Sequence, residues 1–147
     1  MANNEAAEAR TVDQVLDSTL DSVDSAEEVV LREAQELGFD EDDLHRIGMS
    51  VRECMVNAVV HGNRYNARKK VRLTVSRTAD RLTVVIGDEG EGFDIAALPD
   101  PLANENLLRH SGRGILLIQA FMDEFQIRAR EPKGTEVKMV KYVAKAS

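Results

Sequence analysis

One stretch near the middle of the chain reads Glu53-Cys-Met-Val-Asn57-Ala-Val-Val-His61-Gly62. Glu53 and Asn57 are four residues apart, so on a helix both side chains project from the same face. An amide oxygen can coordinate Mg²⁺, and a carboxylate can polarise a hydroxyl group or a water molecule. His61 continues the same line four residues later. The stretch indicates a chemically active helix face; the alternative is a solvent-facing helix edge on which Asn57 makes an ordinary hydrogen bond.

The residues around this stretch predict the helix that carries it. Asp40-Glu-Asp-Asp43 places negative charge in the first turn, where the helix dipole favours it, and Gly62 is a stop signal. Its apolar positions form a stripe that faces a core: Leu44, Ile47, Val51, Met55, Ala58 and Val59. An earlier helix is predicted from a capping box at Ser25-Ala-Glu-Glu28 to Leu37, with Gly38 as its stop.

After Gly62 the hydrophobic period changes to two, which is typical of strands. Strands are predicted at 71–76 and 82–86, a helix at 115–122, and two further strands at 125–129 and 136–143. The segment 12–23 fits either a helix or a short edge strand. The order predicts an α/β fold of two layers, in which a mixed sheet is covered by helices on one face.

Composition limits the possible classes of protein. A chain of 147 residues with 43% hydrophobic residues predicts one domain, here 12–147, after a disordered tail at 1–11. No apolar run is long enough to cross a bilayer, and the N-terminus has no apolar signal-peptide region. The single cysteine, Cys54, cannot form an internal disulfide, and we interpret it as a core residue. These features predict a cytoplasmic protein.

The net charge of −7 is unevenly distributed, because residues 1–43 are strongly acidic and the rest of the chain is basic. A basic body favours an anionic ligand such as a nucleotide, and an acidic N-terminal part suits a basic protein. The basic cluster at 64–72 contains one aromatic residue and has no reading helix, so direct DNA binding is not expected.

Asp88-Glu-Gly90-Glu-Gly92 follows the second strand directly. A carboxylate at a strand end can accept a hydrogen bond from an exocyclic amine such as that of adenine, and the glycines let the backbone approach the base closely. The pattern is not a Walker loop, because no Gly-Lys-Ser/Thr follows it. The alternative is an ordinary glycine-rich turn.

Ser111-Gly112-Arg113-Gly114 opens the predicted helix at 115–122. Free N–H groups at a helix N-terminus bind phosphate, and a nearby arginine can stabilise transferred charge. The alternative here is a glycine-rich cap without a ligand. Gly134-Thr135 precedes the last strand, where the Thr135 hydroxyl is placed to contact a phosphate.

These four signals occur in one order, and together they resemble the N box and the three glycine boxes of the gyrase/Hsp90/histidine-kinase/MutL ATPase superfamily. The stretch from Glu53 to Asn63 and the ending Phe121-Met-Asp-Glu-Phe125 resemble the anti-sigma factor serine/threonine kinases. The resemblance covers residues 25–143. It implies a Bergerat-type ATP-binding sandwich, with a mixed, mostly antiparallel sheet.

The resemblance also implies a role for each site residue. Glu53 is the expected catalytic base and Asn57 the expected Mg²⁺ ligand, with His61 beside the nucleotide. Asp88 binds adenine together with Gly90 and Gly92, and the phosphates are contacted by Ser111, Gly112, Arg113, Gly114 and Thr135. The loop that closes over ATP, called the lid, is expected to take its positive charge from Arg109 or Arg113, since His110 stands where some relatives carry an arginine.

Such kinases bind a sigma factor and phosphorylate a serine or threonine of an anti-anti-sigma factor, a STAS-type protein, and they are commonly homodimers. ATP and Mg²⁺ are the implied cofactors. Two rival functions remain open on the sequence. One is a non-catalytic, nucleotide-gated binding module, and the other is a detached histidine-kinase ATPase domain.

Overall fold

The computed structural model of this chain describes residues 9–90 and 114–143. In chain order the elements are β1 (Arg10–Leu16), α1 (Leu20–Leu37), α2 (Glu41–Val56), a π-helical turn (Asn57–Gly62), β2 (Val71–Arg77), β3 (Arg81–Gly87), α3 (Gly114–Phe121), β4 (Glu124–Ala129) and β5 (Thr135–Tyr142). The predicted strands and the helices α2 and α3 are therefore present. The predicted Ser111, Gly112, Arg113, Arg109 and Gly92 lie outside the described residues.

The five strands form one sheet in the order β1-β2-β3-β5-β4. Each of the four neighbouring pairs is antiparallel, so the described strands contain no parallel pair. The pairing of β3 with β5 places Gly87 opposite Glu136, which brings the residues after β3 next to the start of β5. The predicted two-layer α/β fold with a mostly antiparallel sheet is confirmed.

The segment 12–23, which the sequence left open, contains both of the predicted alternatives. Residues 10–16 form the edge strand β1, whose register runs from Arg10 opposite Arg77 to Leu16 opposite Val71. Its inward-facing residues are half-buried and its outward-facing residues are exposed, which is the alternation of a strand at an edge. The strand includes Arg10 and Thr11, which the sequence had assigned to the tail. The domain boundary itself stays a prediction.

The predicted start of α1 at Ser25 is wrong. The helix begins at Leu20 with Thr19 as its N-cap residue, and Ser25 lies in the second turn, where its hydroxyl donates to the Asp21 carbonyl (3.3 Å). The physical reason is burial: Val23, Ala26 and Val30 already follow the helical period and are buried. The predicted stop is confirmed, since Gly38 has φ +85° and its N–H donates to the Gln35 carbonyl.

The core lies between the helices and one face of the sheet. The helix α1 packs on α2 and on β2 and β3, and α3 packs on α2 and β4. The largest fully buried side chains include Ile47, Met55, Leu73, Leu82, Ile86, Ile118 and Met139. The opposite sheet face carries polar pairs such as Asp13 with Arg72. Among the described helices, none combines the length and hydropathy needed to traverse a bilayer.

Candidate nucleotide-binding site

Glu53 and Asn57 lie at the C-terminal end of α2, and the first residue of α3 packs against both. A Cβ atom at Gly114 would overlap Glu53 Oε2 and would lie 3.7 Å from Asn57 Nδ2. Only a residue without a side chain allows this approach. The start of α3 therefore meets the helix face that carries the predicted base and the predicted metal ligand.

The Asn57 amide is the least satisfied polar group at this end of the site. Its Nδ2 atom is buried and has no hydrogen-bond partner in the described part of the chain. Buried polar groups are nearly always hydrogen-bonded, so an unpaired one needs an explanation, such as a ligand. The unpaired Nδ2 donor of Asn57 lies close to the first residue of α3, and its contact with a ligand stays a prediction.

The helix widens where Asn57 ends the α-helical part. Residues 57–62 form a π-helical turn, in which the Asn63 N–H donates to the Ala58 carbonyl five residues earlier (2.8 Å). Such π-bulges are rare and are frequent at functional sites. The turn brings Gly62 against the loop after β3, because a Cβ at Gly62 would overlap the Asp88 carboxylate and one at Gly90 would overlap the Gly62 carbonyl.

Asp88 directly follows β3 and is 6% exposed. Its Oδ1 atom accepts hydrogen bonds from the N–H groups of Gly90 (3.0 Å) and Thr135 (3.2 Å). Its Oδ2 atom faces Gly62 and accepts none from the described residues. Burial raises the pKa of this carboxyl group, and the two backbone hydrogen bonds partly oppose that rise. One oxygen is fixed by backbone donors, and the other has no donor among the described residues.

Two residues that the sequence analysis did not select hold this loop. Arg130 Nη1 donates to the Asp88 carbonyl (3.0 Å), and the guanidinium also packs on Gly87. Asn63 is 2% exposed, and its Oδ1 atom accepts from the Glu89 N–H (2.8 Å). For Asn63 a signal existed, namely a polar residue directly after the stop glycine of the helix. Nothing local distinguishes Arg130, a half-buried residue that directly follows β4, from the other arginines of the chain.

The β4–β5 turn also packs against the loop that carries Asp88. Gly134 has φ +113°, and a Cβ there would overlap the Asp88 carbonyl oxygen. The Asp88 N–H donates to the Thr135 carbonyl (2.9 Å). Thr135, which the sequence analysis assigned to a phosphate, lies beside the predicted adenine-binding carboxylate because β3 pairs with β5. Its phosphate contact stays a prediction.

The structure brings the described candidates together in two groups. Glu53, Asn57 and Gly114 form one, and the other consists of Asp88, Gly90 and Thr135, with the π-helical turn between them. His61 belongs to the same turn but is exposed. The functional roles of all these residues stay predictions.

Cys54 lies on α2 beside Glu53 and is 2% exposed. Burial is the main reason why the pKa of its thiol is far above the usual range, with the nearby Asp88 carboxylate adding to the effect. A thiol that stays protonated is a poor nucleophile and metal ligand. Its position agrees with the predicted core role.

The residues present fit an Mg²⁺ ion that is held mainly by a bound nucleotide. The described residues contain no group of three or more histidine, cysteine or acidic side chains that could hold a metal ion alone. Mg²⁺ in phosphoryl-transfer sites is commonly bound through one or two protein oxygens plus substrate phosphates. The unpaired Nδ2 atom of Asn57 is a donor that suits a phosphate oxygen, and the Oδ1 atom of the same amide is the atom that could reach a bound Mg²⁺.

Comparison with known proteins agrees with this geometry. The sequence profile of the histidine kinase-like ATPase domain matches residues 16–141. Serine-protein kinase RsbW of Staphylococcus epidermidis is 34% identical over 115 residues, which are 74% of this chain and 71% of that protein. Anti-sigma F factor of Oceanobacillus iheyensis is 33% identical over 107 residues, and that of Bacillus subtilis is 31% identical over 107; each match covers 71% of this chain and 73% of the relative.

Fold, site and profile define the class of protein. The chain belongs to the histidine kinase-like ATPase domain family. Within that family it is similar to the RsbW serine-protein kinases and to the anti-sigma F factors. The predicted family and the predicted kinase class of enzyme are thereby confirmed.

Proposed function

We propose that this protein is an anti-sigma factor with protein kinase activity, which uses ATP to phosphorylate a serine or threonine of a STAS-type anti-anti-sigma protein and which sequesters a sigma factor. The observation that carries the proposal is the position of Glu53. Its carboxylate lies beside the buried, unpaired amide of Asn57 and under the first residue of α3. The similarity to serine-protein kinase RsbW and to anti-sigma F factor supports the same function.

Asp88 and the glycines around it bind the adenine end of ATP in this proposal. Asp88 Oδ2 accepts a hydrogen bond from the exocyclic amine, while Oδ1 stays bonded to the Gly90 and Thr135 N–H groups. Gly62 and Gly90 keep side chains out of the space beside this carboxylate. Because the carboxylate is fixed by backbone donors, little ordering remains for the moment of binding.

Glu53 acts as the base at the other end of the site. The acceptor hydroxyl oxygen forms a bond to the γ-phosphorus as the bond from that phosphorus to the bridging oxygen breaks, and ADP leaves. The hydroxyl proton passes to the Glu53 carboxylate and then to solvent. Asn57 is the expected ligand of Mg²⁺, which neutralises phosphate charge when bound. Lid contacts from Ser111, Gly112, Gly114 and one of Arg109 or Arg113, and contacts from His61 and Gly92, remain part of the proposal.

Further parts of the proposal concern partners and location. We propose a cytoplasmic homodimer that regulates transcription through a sigma factor, without contacting DNA or a membrane itself. Sigma factors act inside the cell, and the described helices include none that could cross a bilayer. The similarity to anti-sigma F factors supports the sigma partner.

The test separates catalysis from binding. The wild type and Glu53→Ala are incubated with γ-labelled ATP and with each STAS-type protein of the same organism, and nucleotide binding is measured by calorimetry in parallel. Loss of the base is expected to lower phosphate transfer about 10²- to 10⁴-fold while the Kd for ATP changes little. A wild type that binds ATP but labels none of these proteins contradicts the kinase proposal and favours the nucleotide-gated binding module.

A further inference from the structure

The side chain of Asn63 makes three hydrogen bonds inside the protein. Its Nδ2 atom donates to Ser18 Oγ (2.9 Å) and to the Lys70 carbonyl (3.0 Å), and its Oδ1 atom accepts from the Glu89 N–H (2.8 Å). Both amide protons and the amide oxygen are therefore used. The side chain is 2% exposed, so these bonds are largely shielded from bulk water.

These bonds join four separate segments of the chain. Asn63 itself follows the π-helical turn, Ser18 lies between β1 and α1, Lys70 directly precedes β2, and Glu89 follows β3. Ser18 is held in turn, because its hydroxyl donates to the Lys69 carbonyl (2.5 Å). The Lys70 N–H also donates to Glu89 Oε1 (3.3 Å). The amide of Asn63 is the centre of this network.

One of the bonds connects the two halves of the nucleotide site. Glu89 lies between Asp88 and Gly90, and Asn63 directly follows Gly62. Among the described residues, the bond from the Glu89 N–H to Asn63 Oδ1 is the hydrogen bond that ties residues 57–63 to residues 88–90. The spacing it sets is tight, because neither Gly62 nor Gly90 has room for a Cβ.

We propose that Asn63 is a positioning residue for nucleotide binding: its amide holds the Asp88–Gly90 loop against the π-helical turn, so that Asp88 Oδ2 points at the base. The inference rests on the proposed function and names a residue that acts through Asp88 without touching the nucleotide. Asn63→Ala leaves Asp88 with both of its own backbone donors. It removes the bond from the Glu89 N–H together with the bonds to Ser18 Oγ and the Lys70 carbonyl.

The adenine end is common to ATP and ADP, so both should be affected alike. In Asn63→Ala the Kd for ADP and the Kd for ATP with Mg²⁺ are each expected to rise about tenfold, with their ratio unchanged. Calorimetry gives both constants, and thermal unfolding gives the loss of stability in the same samples.

Ser18→Ala is the matched control. It removes one partner of the Asn63 amide and the bond to Lys69, but it leaves the bond from Glu89 intact. We expect a lower unfolding temperature with both Kd values within about twofold of the wild type. Equal weakening of nucleotide binding in Ser18→Ala and Asn63→Ala would show a general structural role and overturn the inference.

Hydrogen exchange of the wild type decides the question if Asn63→Ala does not fold. The Glu89 amide is expected to exchange at least tenfold more slowly than in an unstructured peptide before any nucleotide is added. Exchange at the unstructured rate overturns the inference. A wild type that binds neither ADP nor ATP overturns the proposed function and this inference with it, whereas binding that Asn63→Ala leaves unchanged overturns the inference alone.

Discussion

At the residue scale, the two oxygens of Asp88 have different tasks. Oδ1 accepts from two backbone N–H groups of the protein, and Oδ2 accepts from none of the described residues. A carboxylate that is 6% exposed with one unused oxygen is costly to bury, and it is the kind of group that a ligand donor satisfies. The raised pKa of Asp88 has the same origin in burial.

Replacing Asp88 by asparagine tests whether Oδ2 binds the nucleotide while Oδ1 binds the protein backbone. The substitution keeps an oxygen for the Gly90 and Thr135 N–H groups and puts an amide donor where Oδ2 stood. We expect the Kd for ATP to rise about tenfold to a hundredfold, which corresponds to one hydrogen bond to a charged group. Calorimetry measures it, with Asp80→Asn as the control, because Asp80 is an exposed aspartate in the β2–β3 turn.

The stability of Asp88→Asn relative to the wild type should depend on pH. Because the pKa of Asp88 is raised in the folded state, its ionised form destabilises the fold at neutral pH, and this effect disappears as the pH falls through the raised pKa. Asp88→Asn should therefore unfold at a temperature equal to or above that of the wild type at pH 7. The difference should shrink on acidification, and a difference that grows as the pH falls contradicts the expectation.

Gly114 is the second residue with a defined prediction. A Cβ there would overlap Glu53 Oε2, so Gly114→Ala must displace the base or move α3. We expect phosphate transfer to fall about a hundredfold, since a small misplacement of a catalytic group has effects of this size. Labelled-phosphate transfer measures it.

Gly48→Ala is the matched control for Gly114→Ala. Gly48 is also a helical glycine, and its Cβ would lie 2.8 Å from a carboxylate oxygen of Glu27, which is not a candidate site residue. Transfer should stay within about twofold of the wild type, because Glu27 contacts Arg52 and no site residue. Equal losses in the two variants would mean that the helices, and not the base, are disturbed.

At the scale of elements, a side-chain cap marks the start of α2 but not that of α1, whose N-cap residue Thr19 makes no side-chain cap bond. Asp40 Oδ1 accepts from the Asp43 N–H (2.8 Å), so the predicted start of α2 is confirmed by a side-chain cap. Ser25 resembles a cap in sequence but lies inside α1. Asp40→Ala should therefore lower the free energy of unfolding by about 1 kcal/mol.

Ser25→Ala is the comparison for Asp40→Ala. Alanine has the higher helix propensity, and the serine hydroxyl bonds only the Asp21 carbonyl on an exposed surface. Stability should change by less than about 0.5 kcal/mol, in the stabilising direction if at all. Chemical denaturation measures both variants, and a loss in Ser25→Ala as large as that in Asp40→Ala would restore Ser25 as a cap.

The π-helical turn is the element that most affects the site. A continued α-helix through Gly62 would keep the period that the sequence predicted for Glu53, Asn57 and His61. The wider turn instead lets Gly62 meet Asp88 and places Asn63 in the interior. Hydrophobic periodicity does not report this change, because the buried Ala58 and Val59 also fit the apolar stripe of the predicted α-helix.

At the scale of the whole molecule, one buried ion pair ties the helical layer to the sheet. Glu33 on α1 is 5% exposed, and it accepts from Arg77 Nε on β2 (2.8 Å), with Arg10 of β1 at 3.4 Å. Removing Arg77 leaves the buried Glu33 carboxylate with only the longer contact to the exposed Arg10, so its charge is poorly compensated. Arg77→Ala should lower the free energy of unfolding by about 3 kcal/mol, measured by chemical denaturation.

Arg72→Ala is the control for this prediction. Arg72 pairs with Asp13 on the open face of the same strand, where water screens both charges. Its loss should be far smaller than that of Arg77→Ala. Equal losses of the free energy of unfolding in Arg72→Ala and Arg77→Ala would show that the burial of Glu33 does not determine the size of the effect.

Several features were predictable because their signals are local. The strands β2 and β3 follow a period of two, α2 begins at a capping aspartate, and α1 ends at a glycine with positive φ. The motif residues Glu53, Asn57 and Asp88 were found in the same way, from spacing and from position at the end of an element. Ser25 shows the limit of local signals. Its sequence has the form of a capping box, but the helix starts earlier because Val23 and Ala26 are buried.

The sequence by itself determined the family, the order of elements and the residue types that the site needs, because each depends on neighbours within a few positions. Only the tertiary structure decided which residues hold the site in place. The Asn63–Glu89 bond spans 26 residues and the Arg130–Asp88 bond spans 42, and the pairing of β3 with β5 brings Thr135 to Asp88. Contacts over such distances follow from how the layers pack, and no local pattern in the chain records them.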